Sequence, residues 1–532
     1  MEEVIDNKKK KIITIISAIT IFAMVTSISF AYFSSKSTSN TQTVKAGNLS
    51  INYQENSSQT IMLSKITPIY DNEIETRANR VAFSITNDGT MKSYIDISIE
   101  EITMSDELSN LEFKWALYET DATYTSMGTK VSNGNFRNVD NNKQLLYTNI
   151  LIEKGTTKYY KFYIWISEAG KKQDELQNKS FSGKIVIKGN QEEGQKLLST
   201  VIKNNNSPIV TTTPDFTNPT TYEELIQGID EDGETYYFRG AVEDNYVKIN
   251  GLKWTSDAKV YTNGVNGTTG IMLTNKTLEA AEKECNQYYE DYGYSSTEEC
   301  ILDIQESGHL SGEDMLFRIV RINGDGTIRL ITDGDVGESK FNENTYEEKY
   351  VGYTYDNSEP NKQDGASSTI KTYLDNWYNT NMTSYDKYIA NTRFCNDTTV
   401  ASTSGSKINY GSYNRVYTNK KPSFECENTD KTYGGEYDIK IGLITADEVQ
   451  YAGGMVEDYS NYFYMAHKSY GFLVASPSYF FGNARVWNMG SYGNIISNTV
   501  AYKTGVRPTV NLRADTLYTT GNGTKDNPYV IK

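Results

Sequence analysis

The chain has 532 residues, too many for one ordinary core, so two or three domains are expected. Its net charge of −16 would repel phosphates, which argues against nucleic acid as a partner. Its 42 tyrosines and many Asn, Ser, Thr and Gly residues favour short strands and polar turns over long helices.

The N-terminus predicts export. A run of lysines ends at Lys11, and an apolar stretch over residues 12–33 follows, which predicts one N-terminal apolar helix in the cell membrane. Small residues before the Ala31–Tyr32 bond fit a signal peptidase site. The stretch is also about long enough to remain as an uncleaved transmembrane anchor. Both interpretations place the rest of the chain outside, either on the extracellular face of the membrane or secreted after cleavage near Ala31.

Residues 34–190 show strand patterns. Strings such as RVAFSITND, SYIDISIEEI and KYYKFYIWIS alternate apolar and polar residues and are separated by turn signals such as NDGT. This alternation predicts an all-β antiparallel sandwich. Trp115 and Trp165 lie inside such strands, and we expect both in the core.

A linker over residues 191–222 separates this region from an α+β domain over residues 223–532. The linker is rich in Asn, Thr and Pro, which predicts a semi-extended tether with one short helix signal, LLSTVI. In the second domain, ASSTIKTYLDNWYNT predicts a helix with Ile370, Leu374 and Trp377 on one face. An N-cap is expected at Ser367 or Ser368.

All four cysteines lie in the second domain, and an even number outside the cell predicts disulfides. Three pairings are possible, and Cys285–Cys300 with Cys395–Cys426 close the shortest loops. Neither histidine has metal-ligand spacing to a cysteine, and CxxC does not occur.

The sequence predicts no catalytic residue, metal site or cofactor. His309 and His467 stand in neither a GxSxG nor an HExxH context. Two acidic turns, IDEDGE and DGDVGES, offer oxygen ligands for calcium, but neither matches an EF-hand loop. Their carboxylates are Asp230, Glu231, Asp232 and Glu234 in the first, and Asp333, Asp335 and Glu338 in the second.

The N-terminal part resembles a known family of surface proteins. In FAYFSSKSTSNTQTVKAGNLSINY, an AYF string and a polar stretch precede the pattern V-x-A-G-N-L, which includes Val44 and Leu49. This start resembles TasA/camelysin-like proteins with a SipW-type signal. The resemblance implies a bacterial cell envelope, and it implies a TasA/camelysin-like sandwich over residues 34–190.

The C-terminal part carries a second resemblance. The strings YYFRGAVEDNYVKING, FRIVRINGDGTIRLI, STIKTYLDNWY, FCND, GVRPTVNL and GNGTKDNPYVI are similar to those of uncharacterised surface proteins of Firmicutes. Coverage is most of residues 234–532, with an apparent insertion at about 252–315 and a departure at Phe472–Ala475. The tail also resembles C-type-lectin-like domains of the formylglycine-generating type, through Arg507 and Pro508.

The lectin-like resemblance implies binding without catalysis. No cysteine follows Cys426, so the reactive pair of the formylglycine-generating activity is missing. In that fold, turns between late strands present polar and aromatic residues to a ligand. The predicted ligand-binding residues are Tyr479, Phe481, Asn483, Trp487, Tyr492, Asn494 and Asn498. Exposure is expected for Tyr492 and Asn494, and core packing is favoured for Trp487.

Three functions remain open at this point. The first is a cell-surface binding or adhesion module for a protein or glycan, held at the membrane through residues 12–33. The second is a structural subunit of an extracellular fibre or biofilm matrix, which requires cleavage to free the N-terminal strand region. The third is an envelope hydrolase, which requires His467 or a carboxylate pair to converge in a pocket.

Overall fold

The computed structural model describes most of the chain after Tyr32. The predicted cleavage site and nearly all of the predicted anchor therefore lie outside the described residues. Within those residues, no helix is long and apolar enough to cross a membrane. The described residues are 33–35, 41–46, 49–55, 61–64, 66–139, 141–168, 173–176, 178–190, 193–209, 214–217, 224–263, 274–291, 293–356, 365–426, 435–456, 463–466, 471–490 and 493–531.

The N-terminal unit consists of two antiparallel sheets that share one core. A short helix, α1 (Ile74–Arg77), lies between its fourth and fifth strands. The strands are β1 (Phe33–Ser35), β2 (Thr41–Ala46), β3 (Leu49–Glu55), β4 (Ile61–Ser64), β5 (Asn79–Asn87), β6 (Ser93–Met104), β7 (Phe113–Thr120), β8 (Thr129–Asn135), β9 (Gln144–Ile152), β10 (Thr157–Ile166) and β11 (Ser180–Asn190).

The alternation seen in the sequence defines the two faces of these sheets. One sheet has the order β1-β11-β6-β9, with β4 also paired to β11, and the other has the order β2-β3-β5-β10-β7-β8. Ile95 and Ile97 of the first sheet share the core with Phe83 of the second. Trp115 and Trp165 are both buried, as predicted, although Trp165 packs in a smaller cluster with Ile69.

The C-terminal unit combines several sheets with five helices among its described residues. The helices are α2 (Leu198–Asn206), α3 (Leu278–Tyr288), α4 (Thr297–Leu302), α5 (Thr369–Asn381) and α6 (Ala446–Ala452). The strands are β12 (Glu224–Asp230), β13 (Gly233–Arg239), β14 (Tyr246–Lys253), β15 (Val260–Asn263), β16 (Thr274–Asn275), β17 (Ile304–Ser307), β18 (Asp314–Ile322), β19 (Ile328–Thr332), β20 (Glu338–Ser339), β21 (Thr354–Tyr355), β22 (Ala366–Ser367), β23 (Thr392–Asn396), β24 (Val400–Ser404), β25 (Lys407–Tyr410), β26 (Gly435–Ile439), β27 (Ile441–Gly442), β28 (Met455–Val456), β29 (Phe472–Pro477), β30 (Tyr479–Phe481), β31 (Arg485–Met489), β32 (Asn494–Thr499), β33 (Thr504–Gly505), β34 (Thr509–Leu512), β35 (Tyr518–Thr520) and β36 (Tyr529–Ile531).

Two sheets and helix α5 build the C-terminal core. The larger sheet runs β27-β34-β19-β18-β14-β36-β35, and the β12–β13 hairpin joins it through β18. The second runs β20-β33-β29-β31-β32-β28. Ile370, Leu374 and Trp377 of α5 are buried in the core, as their spacing predicts, and the Ser368 side chain caps the helix by accepting from the Lys371 N–H.

The predicted linker contributes to this core. Leu198, Val201 and Ile202 of α2 are buried in the C-terminal core cluster. Next to α2, the Tyr518 N–H donates to the Lys196 carbonyl at 2.8 Å. Helix α2 is therefore part of the C-terminal core rather than of a tether, because its apolar face has a partner to pack against.

The predicted insertion forms a small subdomain within the C-terminal unit. Helices α3 and α4 pack on the short β15–β17 sheet, with a separate core of Ala281, Cys285, Tyr294 and Cys300. The disulfide Cys285–Cys300 lies in this core, and Cys395–Cys426 lies in the main unit. Both disulfides match the shortest-loop pairing, and they are compatible with an exported protein.

Polar contacts join the two units. On the N-terminal side, Lys114 contributes an ion pair to Asp232 at 3.1 Å, and the Asn135 amide donates to Asp325 at 3.2 Å. The Asn133 amide donates to the carbonyl of Gly324, which lies in the NGDG turn between β18 and β19. This turn therefore contacts the N-terminal unit directly.

Candidate functional site

A small sheet of β24, β25 and β30 presents aromatic side chains at the surface of the C-terminal unit. All of β24 is exposed, and the register places Lys407 opposite Phe481 and Asn409 opposite Tyr479. The Phe481 side chain is 63% exposed. Single exposed apolar residues are common on protein surfaces, but an exposed phenylalanine beside other aromatic rings indicates an interaction surface.

A π-helical turn, Tyr413–Thr418, brings two further tyrosines to this sheet. The Tyr413 ring stacks on that of Tyr417, with centroids 4.9 Å apart, and meets Tyr479 edge-on at 5.7 Å. The buried Trp487 ring lies nearly parallel to Tyr413 at 6.0 Å and supports it. Irregular π turns recur at functional sites because they re-aim side chains out of the helical pattern.

Three cations lie over these rings: Lys407, Arg485 and Lys420, whose Nζ is 5.5 Å from the centroid of Tyr417. Lys407 Nζ is 4.8 Å from the centroid of Tyr413 and 4.9 Å from that of Tyr479, and the Arg485 guanidinium carbon is 5.1 Å from Tyr479. Ser497 holds Arg485 by accepting from its Nε at 3.0 Å. Among the described residues, no carboxylate forms an ion pair with Lys407 or Arg485.

We refer to this surface as the tyrosine patch. The geometry suits a ligand that is both flat and hydrogen-bonding, since tyrosines and cations offer ring faces and polar tips at a low entropy cost. Its members are Lys407, Tyr413, Tyr417, Tyr479, Phe481 and Arg485.

The residues predicted to bind a ligand divide between surface and core. Tyr479 and Phe481 belong to the tyrosine patch, and Asn483 is half-buried in the turn that follows. Asn498 is half-buried opposite Val486.

Two other predicted ligand residues are buried. Trp487 is 2% exposed, in agreement with the favoured core packing. Asn494 is also 2% exposed, so its expected exposure is wrong. In the pairing of β28 with β32, Asn494 lies opposite Met455. Its side chain packs so closely on Gly490 that a Cβ added there would lie 2.2 Å from the Asn494 Oδ1. Tyr492 lies outside the described residues.

Four members of the patch were missed by the sequence prediction: Lys407, Tyr413, Tyr417 and Arg485. The first three come from a segment some 70 residues before Tyr479, and the pairing of β25 with β30 brings that segment to Tyr479. One signal was available, since residues 398–424 are rich in tyrosine and contain no Asp or Glu.

A charged cavity lies in the C-terminal unit. It extends from the turn between β12 and β13 to the disulfide Cys395–Cys426. Four arginines face eight carboxylates in its lining: Arg321, Arg329, Arg393 and Arg415, with Asp230, Glu231, Asp232, Asp325, Asp397, Glu425, Asp447 and Glu448.

The carboxylates of this cavity are held by the arginines. Glu448 accepts from Arg329 at 2.6 Å and from Arg321 at 3.2 Å. Burial alone would raise the pKa of Glu448, but the two arginines keep it below its ordinary value. Arg415 likewise donates two hydrogen bonds to Asp447, from Nε at 2.8 Å and from Nη2 at 3.1 Å. Carboxylates fixed in this way suit a structural role, because general acid–base work needs a proton that can move at the working pH.

Asp325 is different, because its hydrogen bonds come from uncharged groups. It accepts from the Thr327 backbone N–H at 2.9 Å and from the Asn135 amide at 3.2 Å. Burial, and then the neighbouring Asp232, raise its pKa above the ordinary value. Asn135 covers this carboxyl from the N-terminal unit, so Asp325 serves the contact between the units.

Protein cations pair with the carboxylates of the first acidic turn considered for calcium, IDEDGE. Asp230 pairs with Arg321 at 2.7 Å, and Asp232 pairs with Lys114. Glu231 pairs with Arg393. No group of three or more His, Cys, Asp or Glu side chains in the described part of the chain is placed to hold a metal ion.

His309 lies in the insertion and is buried against Trp254 of the main C-terminal core. It is 3% exposed, and its ring lies parallel to that of Trp254 with centroids 3.4 Å apart. Burial lowers the pKa of His309 to about 4. Its ring nitrogens have no hydrogen-bond partner among the described residues, so no nucleophile is activated by it there. His467 lies outside the described residues.

Comparison with protein-family models and with curated proteins gives no match for this chain.

Proposed function

We propose that the protein is an exported cell-surface binding module, whose C-terminal unit holds a surface protein or glycan through the tyrosine patch. The observation that carries the proposal is the exposure of Phe481 opposite Lys407, within a cluster of tyrosines and of cations that form no ion pair with a carboxylate of the described residues. The apolar N-terminal segment and the two disulfides support a location outside the cell.

The similarity of the C-terminal part to C-type-lectin-like domains supports the same proposal. In those domains the late strands and their turns bind the ligand. Here the late strand β30 and the turn after it contain Tyr479, Phe481 and Asn483. The TasA/camelysin-like part would then act as a membrane-proximal spacer that presents this surface.

A binding screen with the full chain tests the proposal. We expect the protein to bind at least one member of a panel of immobilised polysaccharides and extracellular-matrix proteins. The double variant Tyr479→Ala/Phe481→Ala should lose that binding, whereas Tyr288→Ala, an exposed tyrosine of the insertion, should keep it. Binding that survives the double variant would refute the assignment of the patch.

A fibre subunit is the second candidate, and one observation favours it. Strand β1, Phe33–Ser35, begins directly after the predicted cleavage site and pairs antiparallel with β11 at Ile187–Gly189. A freed N-terminal strand of one copy has the backbone groups to pair in the same way with β11 of the next copy. Filaments of residues 32–532 that lengthen with protein concentration in electron micrographs would support this function, and a monomer at all concentrations would exclude it.

A further inference from the structure

We infer that the tyrosine patch binds an acidic polysaccharide, in which sugar rings carry carboxylate or other anionic groups. The inference rests on the proposed function and adds the chemical class of the ligand. It draws on the distribution of charge, the faces of the exposed rings and the open shape of the turn beside them.

The patch is built from two long segments of the chain that lack acidic residues. Residues 398–424 and 459–514 contain no Asp or Glu, although the whole chain has a net charge of −16. The first segment supplies β24, β25 and the π-helical turn, and the second supplies β30 and β31. Such a local reversal of sign focuses an attractive potential for anions on one surface.

Most other basic side chains of these segments are already engaged. Arg415 lies in the interior with Asp447, and Arg507 is 1% exposed. Lys503 pairs with Glu338 at 3.1 Å, and Arg513 pairs with Asp515 at 3.0 Å. The charges of Lys407 and Arg485 therefore stand out, because both lie on the rings of the patch without a carboxylate partner among the described residues.

The rings and the neighbouring strand favour a sugar over an acidic protein. Sugar rings present C–H faces that stack on exposed aromatic rings such as Tyr417 and Phe481, and their hydroxyls need neutral hydrogen-bonding groups. Ser402, Thr403 and Ser404 of the fully exposed strand β24 supply such hydroxyls.

The shape beside Phe481 points the same way. A side chain added at Gly482, which has a φ of +70°, would meet nothing within 4 Å, so the turn is open. Protein interfaces depend on anchors that fill desolvated pockets. An open turn with protruding rings is better matched to a chain of sugars that passes over it.

The test measures binding of the full chain to polymers that differ in one property. Polygalacturonate carries a carboxylate on every sugar, and its methyl ester keeps the same sugar backbone without the charge. Dextran sulfate tests sulfate as the source of the anion. Poly-L-glutamate carries carboxylates without sugar rings. We expect binding to polygalacturonate or dextran sulfate, and at least about tenfold weaker binding to the methyl ester and to poly-L-glutamate.

Variants assign the binding to the patch. Lys407→Glu should weaken binding to the acidic glycan by about tenfold or more, since it reverses one of the two charges over Tyr479. Lys525→Glu makes the same charge change in the exposed turn between β35 and β36, outside the patch, and should leave binding within about twofold. Tyr479→Ala keeps the net charge and should also weaken binding.

Each outcome is informative. Equal binding to poly-L-glutamate would mean simple ion exchange and would overturn the inference. Patch-dependent binding of the methyl ester or of a protein alone would overturn the inference while leaving the proposed function intact. Failure of every panel member to bind in a Tyr479-dependent way would overturn both.

Discussion

Arg329 shows how single residues organise the interior of the C-terminal unit. Its Nε donates to Asn511 at 3.2 Å, its Nη1 to Glu448 at 2.6 Å and its Nη2 to the Arg393 carbonyl at 2.5 Å. Its guanidinium also lies over the Phe394 ring, 4.6 Å from the centroid. A planar group with several fixed donors can satisfy these partners together, which a lysine cannot.

Arg329→Met should destabilise the C-terminal unit by about 3–5 kcal/mol, because it leaves Glu448 buried with only one of its two cations. Urea unfolding followed by fluorescence measures this change. The exposed pair Lys340–Glu343 provides the control, since Lys340→Ala should cost about 0–1 kcal/mol. Equal effects of the two variants would contradict the structural role of the buried arginine.

His309 makes the stability of the insertion depend on pH. Its pKa is lowered to about 4 in the folded protein, from 6.5 when exposed. The folded state therefore holds the ring neutral, and this stabilisation is fully present above pH 6.5. It is lost as the pH falls towards 4, with a total of about 3 kcal/mol.

His309→Phe should remove this part of the acid sensitivity, because phenylalanine keeps the stacking on Trp254 and takes up no proton. Urea unfolding at pH 7.5 and at pH 4 measures the difference, and the carboxylates common to both proteins cancel in the comparison. A variant that loses as much stability on acidification as the parent would show that His309 is not the titrating group.

At the scale of elements, the disulfide Cys395–Cys426 closes the loop that carries β24, β25 and the π-helical turn. The loop spans 31 residues, and closing it stabilises the fold by about 3–4 kcal/mol in the chain-entropy model. The tyrosine patch thus depends on this bridge for its order. Cys285–Cys300, which spans 15 residues, orders only the insertion.

The double variant Cys395→Ser/Cys426→Ser should therefore weaken ligand binding by the patch. The matched variant Cys285→Ser/Cys300→Ser should leave that binding unchanged while it destabilises the insertion. Binding isotherms for both, with circular dichroism to confirm folding, separate the two bridges. Equal losses of binding would mean that the patch depends on global stability rather than on its own loop.

Regular elements can be predicted from local sequence patterns, whereas the tyrosine patch cannot. Helix α5 is readable because Ile370, Leu374 and Trp377 share one face and Ser368 caps it, and all four act within 13 residues of one another. Lys407 and Tyr479 meet only through a strand pairing across a long loop, with a π-helical turn beside it. No local periodicity of residue types in the sequence predicts the contact between Lys407 and Tyr479.

At the scale of the whole molecule, the two units meet through charges and amides. Lys114 is buried between Asp71 of its own unit and Asp232 of the other, with 3.1 Å to each. Burial would lower the pKa of Lys114, but the two aspartates raise it, so the charge persists at the contact. Asp232 keeps Arg393 as a second partner at 3.5 Å.

Lys114→Met should loosen this contact without unfolding either core, since the apolar clusters of the two units are separate. We expect a larger radius of gyration in small-angle X-ray scattering, with an unchanged circular dichroism spectrum. Lys158→Met, at an exposed pair with Glu119 within the N-terminal unit, is the control. An unchanged scattering curve for Lys114→Met would show that other contacts suffice.

We propose the tyrosine patch as the binding surface of an exported module. Hydrogen exchange of the full chain, measured with and without saturating polygalacturonate, locates the residues that a bound glycan covers. We expect slower exchange in β24, β25, β30 and the turn Tyr413–Thr418, with little change elsewhere. Protection confined to the arginine-lined cavity, to the N-terminal unit or to no part of the chain would contradict this proposal.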